Sequence, residues 1–437
     1  MDTRFYITLF LISLPGLFYS QGYTNWIVGD TADVQPGNIQ PGIVLAGGGG
    51  DNDPAMQWML SRAGGGDVVV IRASGSDGYN PYFYSELGIE VNSVETIRFE
   101  SGIAADDPYV INRIRGAECL FIAGGDQFDY YSYWKDTPVE EAINYLINEK
   151  GVTVGGTSAG MAILGQCYYT PSGSSLDAEE ALGNPFHPDY NILGCNDFLN
   201  VPYSQYLVTD THYEQRERPG RHVGMLARIA QEYHTRSFGI AANEYTAVAV
   251  DEAGLARAFG DYPEYEEDFV FFLQANCQEE FLPEVMQAGR PLTWDRGHSA
   301  VKVYALPARS DGGSTFDLTD WQTGSGGEWQ NWYVRDGTLE KVFNTGPDCA
   351  AALSSTKGLA PEKQWTIFPN PASERLFVQW PSGSRMDGLE LRNAYGQVVI
   401  RRAEPVQELN LSELPAGVYL VEVNVEGSIL MRKFVKE

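Results

Sequence analysis

A glycine-rich turn carries the side chain with the clearest chemical potential in this sequence. Residues 151–165 run GVTVGGTSAGMAILG, in which Gly156, Ser158 and Gly160 fit the pattern Gly-x-Ser-x-Gly. The β-branched residues before the turn predict a strand, and the small and apolar residues after it predict a helix. In a nucleophile elbow, small neighbours permit a strained turn that exposes the serine, and the helix N-terminus stabilises an oxyanion. The pattern predicts Ser158 as a nucleophile, with an ordinary packing turn as the alternative.

A serine hydroxyl needs a neighbouring base, and one histidine is better placed than the others. His212 ends the strand-like run that begins at Leu207, whereas His187 lies in a proline-rich loop. His222 and His234 flank an amphipathic helix, where we expect surface positions without chemistry. His212 is therefore the predicted general base.

The third member of a catalytic triad should be an acid that lies after the histidine on a later strand. Glu244 interrupts the apolar run 238–250, and burying a carboxylate without a partner is costly. An imidazolium formed at His212 would supply that partner. Asp210 and Glu214 stay open as alternatives, although both lie very close to His212 in sequence.

Three arginines follow His212 at intervals that do not fit one helix face, namely Arg216, Arg218 and Arg221. In an extended segment, two of them would share a side with the histidine. One interpretation is a solvated loop in which Glu214 and Glu217 pair with the arginines. The other is a fork that binds substrate carboxylates with two-point geometry, which the acidity of the rest of the chain favours.

Two further glycine runs end predicted strands. In FIAGGDQ, residues 121–127, we expect Gly124 or Gly125 to join the Ala159 amide in holding an oxyanion, and Gln127 to contact substrate. The alternative is an ordinary turn at the end of a strand. The run at residues 47–50 has neither the dinucleotide nor the phosphate-loop spacing, so a nucleotide site is not predicted.

Length, charge and cysteine content set outer bounds on the protein. A chain of 437 residues has room for two or three domains, and a net charge of −28 argues against a nucleic-acid partner. The five cysteines show no metal-type spacing, so we predict no metal or other cofactor. In an exported protein their odd number leaves at least one thiol unpaired, and one disulfide is left open.

The region from residue 42 to residue 154 alternates short apolar runs with helical patterns. Predicted strands lie at 43–46, 67–71, 96–99, 119–122 and 152–154, and predicted helices at 53–63, 108–115 and 138–149. This alternation predicts an α/β fold with a doubly wound, mostly parallel sheet of the flavodoxin-like or class I glutamine amidotransferase-like kind. Ligands of such sheets bind beyond the carboxyl ends of the strands, where we expect the three catalytic side chains to meet.

With these residues assembled, residues 42–346 resemble the cyanophycinase-like serine peptidases, relatives of dipeptidase E. The shared motifs are Phe-x-x-Gly-Gly-Asp-Gln, Gly-Thr-Ser-Ala-Gly, Asp-x-His followed by Gln-Arg-x-Arg-x-Gly-Arg, and Asn-Glu before Thr246. The resemblance implies that Ser158 is the nucleophile, that His212 acts as general base and acid, and that Glu244 orients the histidine.

The resemblance also implies a substrate pocket lined by Gln127, Asp210, Arg216, Arg218 and Arg221. Cyanophycinases release β-linked Asp-Arg dipeptides from a polyaspartate backbone, and the dipeptidases cut after an N-terminal aspartate. This chain departs from the cyanophycinase pattern at Thr211, where that family tends to carry glutamine, so the exact substrate stays open.

The two ends of the chain predict export. Residues 1–20 have the short apolar run of a signal peptide. After a linker at 347–363, residues 364–437 contain short runs of alternating apolar and polar residues separated by turns. This pattern predicts a small all-β sandwich. This tail resembles the C-terminal sorting domain of type IX secretion through Phe-Pro-Asn-Pro, PAGVYL at 415–420 and the basic end at 432–434. An immunoglobulin-like adhesion module is the alternative.

These inferences predict a peptidase domain over residues 21–346 of a protein that is secreted or displayed at the cell surface. Its predicted activity is hydrolysis of peptide or isopeptide bonds next to aspartate, in peptide or polyaspartate-type substrates. Its other predicted partner is the type IX secretion machinery, and a homodimer is left open. The alternatives are a catalytically silent binding protein for acidic peptides, and an amidotransferase-like hydrolase, which would favour cysteine at the elbow.

Overall fold

The structure is a computed structural model that divides the chain into two compact units, residues 1–352 and 353–437. It describes residues 21–347 except 33, 191, 192 and 279, and then residues 366–368, 371–379, 386–393, 398–402, 408–412, 414–425 and 428–436. The predicted signal peptide, all of the predicted linker after residue 347, and Pro369 and Asn370 of the Phe-Pro-Asn-Pro motif lie outside the described residues.

The first unit combines many short strands with a smaller number of helices. Its strands are β1 (Tyr23–Gly29), β2 (Gly42–Ala46), β3 (Asp67–Arg72), β4 (Ser93–Phe99), β5 (Cys119–Ile122), β6 (Thr153–Thr157), β7 (Cys167–Tyr169), β8 (Leu193–Cys195), β9 (Leu207–Asp210), β10 (Phe238–Ala242), β11 (Ala247–Asp251), β12 (Leu255–Phe259), β13 (Phe269–Ala275), β14 (Val301–Pro307), β15 (Ser314–Asp317), β16 (Gly324–Ser325), β17 (Glu328–Arg335) and β18 (Thr338–Thr345).

Its helices are α1 (Asp53–Ser61), α2 (Tyr79–Pro81), α3 (Pro108–Gly116), α4 (Gln127–Trp134), α5 (Pro138–Tyr145), α6 (Ala159–Ala162), α7 (Ala178–Gly183) and α8 (Pro219–Tyr233). Short π-helical segments lie at Tyr82–Glu86 and Leu146–Lys150, and a 3-10 segment lies at Gly102–Asp106.

A ten-stranded sheet forms the centre of this unit, in the order β1-β4-β3-β5-β6-β2-β11-β12-β15-β16. The five strands from β4 to β2 run parallel, and the outer strands on both sides run antiparallel to their neighbours. The predicted α/β fold is confirmed, with a parallel central part flanked by antiparallel strands. Strands β2, β5 and β6 are buried along their whole length, because both faces of the sheet are covered.

A second sheet of eight strands, which the sequence analysis did not predict, has the order β18-β17-β14-β13-β10-β9-β7-β8. Only β7, β9 and β10 run parallel to one another within it. One face of this sheet shares a hydrophobic core with the first sheet, through residues such as Ile240 and Phe272 beside Ile43 and Leu45. The opposite face packs on α8. The two sheets are therefore stacked layers of one unit.

The predicted elements of the first sheet lie close to their observed positions. The helix predicted at 53–63 ends at Ser61, and the one predicted at 138–149 becomes α5 followed by a π-helical segment. The helix predicted after the elbow is only α6, which has four residues. Helices α1 and α3 begin as predicted, because Asn52 and Asp107 cap them and a proline stands in the first turn.

The C-terminal unit consists of two small antiparallel sheets that share one core. Its strands are β19 (Thr366–Phe368), β20 (Arg375–Gln379), β21 (Met386–Asn393), β22 (Val398–Arg402), β23 (Glu408–Asn410), β24 (Gly417–Val425) and β25 (Ser428–Lys436). The sheets have the orders β19-β20-β23 and β22-β21-β24-β25, and residues from both, including Leu376 and Val421, form the core. This arrangement agrees with the predicted sandwich.

Three of the described cysteines are disulfide-bonded, and one is a free thiol. Cys167 and Cys195 form a disulfide between β7 and β8, Cys277 is also disulfide-bonded, and Cys119 is a buried free thiol. Disulfides of this kind are typical of exported proteins. Within the described part of the chain, no helix has the length and apolar character needed to cross a bilayer.

The elbow helix packs so tightly that we expect Gly160→Ala to destabilise the unit. A Cβ atom at Gly160 would lie 2.0 Å from the carbonyl oxygen of Ile122 at the end of β5. Such overpacking should lower the free energy of unfolding by about 1–3 kcal/mol, measured by urea denaturation. The control is Gly116→Ala in α3, where a Cβ would meet nothing within 4 Å. An equal effect in both variants would contradict the packing argument.

Candidate active site

Ser158 lies at the sharp turn between β6 and α6. Its backbone has φ 52° and ψ −115°, a conformation that is uncommon for a residue other than glycine. Its N–H donates to the carbonyl of Ala46 at 3.0 Å, which fixes the turn to the neighbouring strand β2. A Cβ at Gly156 would lie 2.6 Å from the carbonyl carbon of Gly160. The glycines of the motif are therefore required because the chain passes so close to itself.

His212 reaches the serine from the second sheet. It lies two residues after β9 with φ 46°, and its N–H donates to the carbonyl of Gly47 at 2.9 Å. Its Nε2 is 2.8 Å from Ser158 Oγ. With a proton on Nδ1, Nε2 is the atom that accepts the hydrogen bond from the serine hydroxyl.

Glu244 completes a continuous hydrogen-bonded chain of three side chains. It lies two residues after β10, which is parallel to β9, so the ends of the two strands place it beside His212. The distance from Glu244 Oε1 to His212 Nδ1 is 2.5 Å. The histidine side chain is 8% exposed and the glutamate side chain 25%, so their hydrogen bond is largely shielded from water.

The sheet that carries each side chain differs from the sequence-based expectation. We expected the three residues to meet at the edge of one doubly wound sheet, but Ser158 follows the first sheet and its two partners follow the second. The cause is that the chain leaves the first sheet after α6 and enters a second layer at β7. The second layer was not predicted from the sequence.

A run of glycines that the sequence analysis set aside lies against all three side chains. A Cβ at Gly48, where φ is 96°, would lie 2.5 Å from His212 Cε1 and 3.0 Å from Ser158 Cβ. A Cβ at Gly49 would lie 2.8 Å from Glu244 Cβ. The run is therefore a contact surface for the side chains of the site. In the sequence, the four consecutive glycines after a predicted buried strand were the feature that could have indicated this close contact.

A buried asparagine next to Glu244 joins the loops that carry the histidine and the glutamate. Asn243 Oδ1 accepts the N–H of Glu214 at 3.1 Å, and its Nδ2 donates to the carbonyl of Glu267 at 2.7 Å. Gln215 Oε1 accepts the N–H of Glu244 at 3.1 Å. From the sequence, Asn243 is identifiable only as part of the Asn-Glu motif, with no role of its own.

The predicted oxyanion site has three candidate amide donors beside Ser158. In the described part of the chain, the N–H groups of Ala159, Gly124 and Gly125 donate no hydrogen bond. Gly125 and Ala159 line one depression with Ser158, and a Cβ at Gly124 would lie 3.5 Å from Ser158 Cβ. Because α6 has only four residues, a helix dipole adds little, and the individual amide groups are the relevant donors.

The three arginines of the predicted fork do not act alike, and Arg221 has a structural role. Arg221 is buried and binds Asp210 through two hydrogen bonds, Nε to Oδ2 at 2.8 Å and Nη2 to Oδ1 at 2.5 Å. Burial raises the pKa of Asp210, but the charge and hydrogen bonds of Arg221 outweigh it and leave that pKa below its ordinary value. Because the two groups satisfy each other, direct binding of substrate by Arg221 is not supported.

The remaining arginines differ in how freely they face the solvent. Arg218 donates to the carbonyl of Thr211 at 2.7 Å and to its hydroxyl at 3.0 Å, and burial lowers its pKa to about 10. Arg216 is exposed at the rim. The segment 212–218 is a turn, with the N–H of Arg216 bonded to the carbonyl of His212, so it does not adopt the extended conformation in which two arginines would share a side with the histidine.

These groups open onto one polar depression. Gln127 begins α4 at its edge, and Asp210, Arg216, Arg218 and Arg221 contribute to its walls, so every predicted pocket residue lies there. The predicted surface position of His222 is wrong, because its ring is fully buried between the carbonyl of Val208 and the hydroxyl of Tyr213. No group of His, Cys, Asp or Glu suited to a metal ion occurs among the described residues.

A serine, a histidine and a carboxylate linked in this order form the arrangement that serine hydrolases use on several unrelated folds. Residues 77–257 match the model of peptidase family S51, and residues 366–437 match that of the secretion system C-terminal sorting domain. These matches confirm the resemblance to the cyanophycinase-like peptidases and to the sorting domain of type IX secretion. The chain therefore carries a peptidase-family region followed by a C-terminal domain of the kind that serves secretion.

The chain is also similar to curated relatives and to a solved structure. A cyanophycinase from Synechococcus elongatus is 25% identical over 228 residues, which are 50% of this chain and 66% of that protein. One from Geminocystis herdmanii is 27% identical over 50% of this chain and 77% of that protein. The crystal structure of a peptidase from an acI-B1 actinobacterium covers 64% of this chain and 98% of its own, at 15% identity and a TM-score of 0.42. This chain thus spans slightly less than two thirds of the Synechococcus relative.

Contact between Gly48 and the catalytic side chains makes Gly48→Ala a test of the site geometry. The added methyl group would displace the imidazole from Ser158, so we expect kcat to fall about 100-fold, since small misplacements have effects of this size. The matched control is Gly65→Ala, where φ is also positive, at 77°, but a Cβ would meet nothing within 4 Å. A comparable loss in both variants would show that backbone strain, rather than the contact, is responsible.

The pH dependence of hydrolysis should report the environment of His212. Burial and the charges of Arg216 and Arg218 hold its pKa below the ordinary 6.5, against the opposing effect of Glu244. Because a general base must be neutral, kcat/KM should rise with pH through an inflection below 6.5. In Glu244→Gln the inflection should move lower still, since a group that raises this pKa is removed. An inflection above 6.5, or an upward shift in the variant, would contradict this assignment.

Proposed function

We propose that this protein is a secreted serine peptidase that cleaves peptide or isopeptide bonds next to aspartate. Ser158 is the nucleophile, His212 the general base and acid, and Glu244 the group that orients the histidine. The observation that carries this proposal is the unbroken chain of hydrogen bonds from the serine through the imidazole to the carboxylate, at 2.8 and 2.5 Å. A binding protein without catalysis would have no need of this alignment.

The first half of the reaction forms an ester with the enzyme. Ser158 Oγ attacks the scissile carbonyl carbon while its proton passes to His212 Nε2, and Glu244 stabilises the resulting imidazolium through Nδ1–H. The carbonyl oxygen becomes an oxyanion, which accepts hydrogen bonds from the Ala159 amide and from Gly124 or Gly125. Collapse of this intermediate expels the amine, which takes the proton from Nε2.

The second half restores the enzyme. A water molecule replaces the amine and gives a proton to His212 Nε2 as its oxygen attacks the ester carbon. The same amide groups hold the second oxyanion. The carbon–Oγ bond then breaks, Ser158 recovers the proton from the imidazolium, and the carboxylic acid product leaves.

Specificity for acidic groups is proposed from the charges around the pocket. Arg216 is exposed at its rim, so its guanidinium is available to a substrate carboxylate, and Gln127 offers an amide nearby. Arg218 and the Asp210–Arg221 pair hold the wall in place and contribute positive potential. Release of β-Asp-Arg dipeptides, the activity of cyanophycinases, is one substrate class that fits these charges, and cleavage of peptides that begin with aspartate is the other.

Removal of the nucleophile tests the proposal most simply. We expect the purified full chain to hydrolyse cyanophycin or Asp-initiated dipeptides, which is measured by the release of free amine. In Ser158→Ala, kcat should fall about 10⁶-fold. Thermal unfolding should be nearly unchanged, because among the described side chains the hydroxyl hydrogen-bonds only to His212. Undiminished turnover in this variant would remove the assignment.

The proposed specificity has a separate test in the same assay. Arg216→Gln should raise KM for the acidic substrates while leaving KM for neutral dipeptides unchanged. The control is Arg290→Gln, which removes the same charge from an exposed arginine outside the pocket. Equal effects on acidic and neutral substrates would show that Arg216 does not select for carboxylates.

A further inference from the structure

A buried tyrosine on α4 lies directly behind the amide groups assigned to the oxyanion. The hydroxyl of Tyr130 is 2.8 Å from the carbonyl oxygen of Ala123 and 3.0 Å from that of Gly124. The ring is fully buried and stacks on Trp134 with 4.5 Å between the centroids and 4° between the planes. This stacking holds the hydroxyl in one place, with both carbonyl oxygens within hydrogen-bonding distance of its single proton.

Because a trans peptide is planar, the hydrogen bonds to these carbonyls also fix the directions of the N–H groups on the opposite side of the turn. In a planar trans peptide the C=O and the following N–H point in opposite directions. The carbonyl of Ala123 therefore fixes the direction of the Gly124 N–H, and the carbonyl of Gly124 fixes that of the Gly125 N–H. Because both carbonyls point at one hydroxyl, both N–H groups are turned away from Tyr130.

The turn needs an external anchor because it consists of two glycines. Without side chains, Gly124 and Gly125 have a wide choice of φ and ψ, so their shared peptide plane can rotate at little cost. Gly125 lines the depression with Ser158 and Ala159, and a Cβ at Gly124 would lie within 3.5 Å of Ser158 Cβ. A rotated plane would present a carbonyl oxygen, rather than an N–H, to a developing negative charge.

We propose that Tyr130 is a positioning residue that orients the Gly124 and Gly125 amides toward the oxyanion. It does not touch substrate, and it acts through the two carbonyls that its hydroxyl binds. This inference rests on the proposed function, because it assumes that acyl transfer to Ser158 generates an oxyanion at this turn. It explains why a tyrosine hydroxyl, rather than an apolar side chain, lies in the core beneath the turn.

Tyr130→Phe separates positioning from binding and from stability. For the best substrate of the panel above, kcat should fall about 10- to 100-fold, somewhat less than for loss of an oxyanion donor, while KM changes less than about twofold. The aldehyde with the same acyl group forms an oxyanion on Ser158, so its inhibition constant should rise in proportion to the loss in kcat/KM. A purely structural role for the hydroxyl would lower the unfolding midpoint without this split.

The control is Tyr131→Phe, which removes a hydroxyl from the next residue of the same helix and should leave kcat and aldehyde binding unchanged. Tyr130→Phe with wild-type kcat and wild-type aldehyde affinity would overturn the inference while leaving the triad assignment intact. Failure of the proposed function would look different, since wild-type protein itself would then hydrolyse nothing.

If Tyr130→Phe does not fold at the assay temperature, Gly125→Ala gives a second test. The added Cβ would lie 2.9 Å from the Tyr130 hydroxyl and should displace it from the carbonyls. The same loss of kcat at constant KM is expected, and wild-type kcat in this variant would overturn the inference.

Discussion

The hydrogen bond between Ser158 and His212 crosses from one sheet to the other, and the rest of the site depends on it. The serine is fixed by β6 and its neighbour β2, whereas the histidine and glutamate are fixed by β9 and β10. A separation of 2.8 Å between side chains on different layers requires that the layers pack in one register. The shared core between the sheets supplies that register, so the apolar packing far from the serine determines whether it has a base.

The polypeptide backbone at this junction is held in conformations that cost energy. Ser158 and His212 both have positive φ, as does Tyr245 beside Glu244. Backbone hydrogen bonds tie these turns together, from His212 to Gly47 and from Tyr245 to Gly48. The glycine run thus does two things, since it allows the turns to approach and its carbonyls anchor them. Strain at a functional site persists only where surrounding contacts determine it in this way.

Local patterns predicted the five parallel strands of the first sheet, β2 to β6, and the three side chains that meet, because strands, caps and the elbow are signalled within a few residues. They did not predict the second sheet, since β7 and β8 are short and the pairing of β9 with β10 joins residues far apart in sequence. The sequence also did not show which charged side chains pair with each other. The three arginines after His212 suggested one carboxylate-binding fork, whereas Arg221 forms an ion pair with Asp210. The burial of His222 and Tyr130 could not be predicted from the sequence, because it depends on tertiary contacts.

The most direct measurement of the central claim is covalent labelling of the folded full chain with a fluorophosphonate, mapped by mass spectrometry. An activated serine reacts with this probe, whereas an ordinary serine hydroxyl does not. We expect a single adduct on Ser158 in the wild-type protein, and much slower labelling of Ser158 when His212 is replaced by alanine. A folded wild-type protein in which Ser158 stays unmodified, or labels equally fast without the histidine, would contradict it.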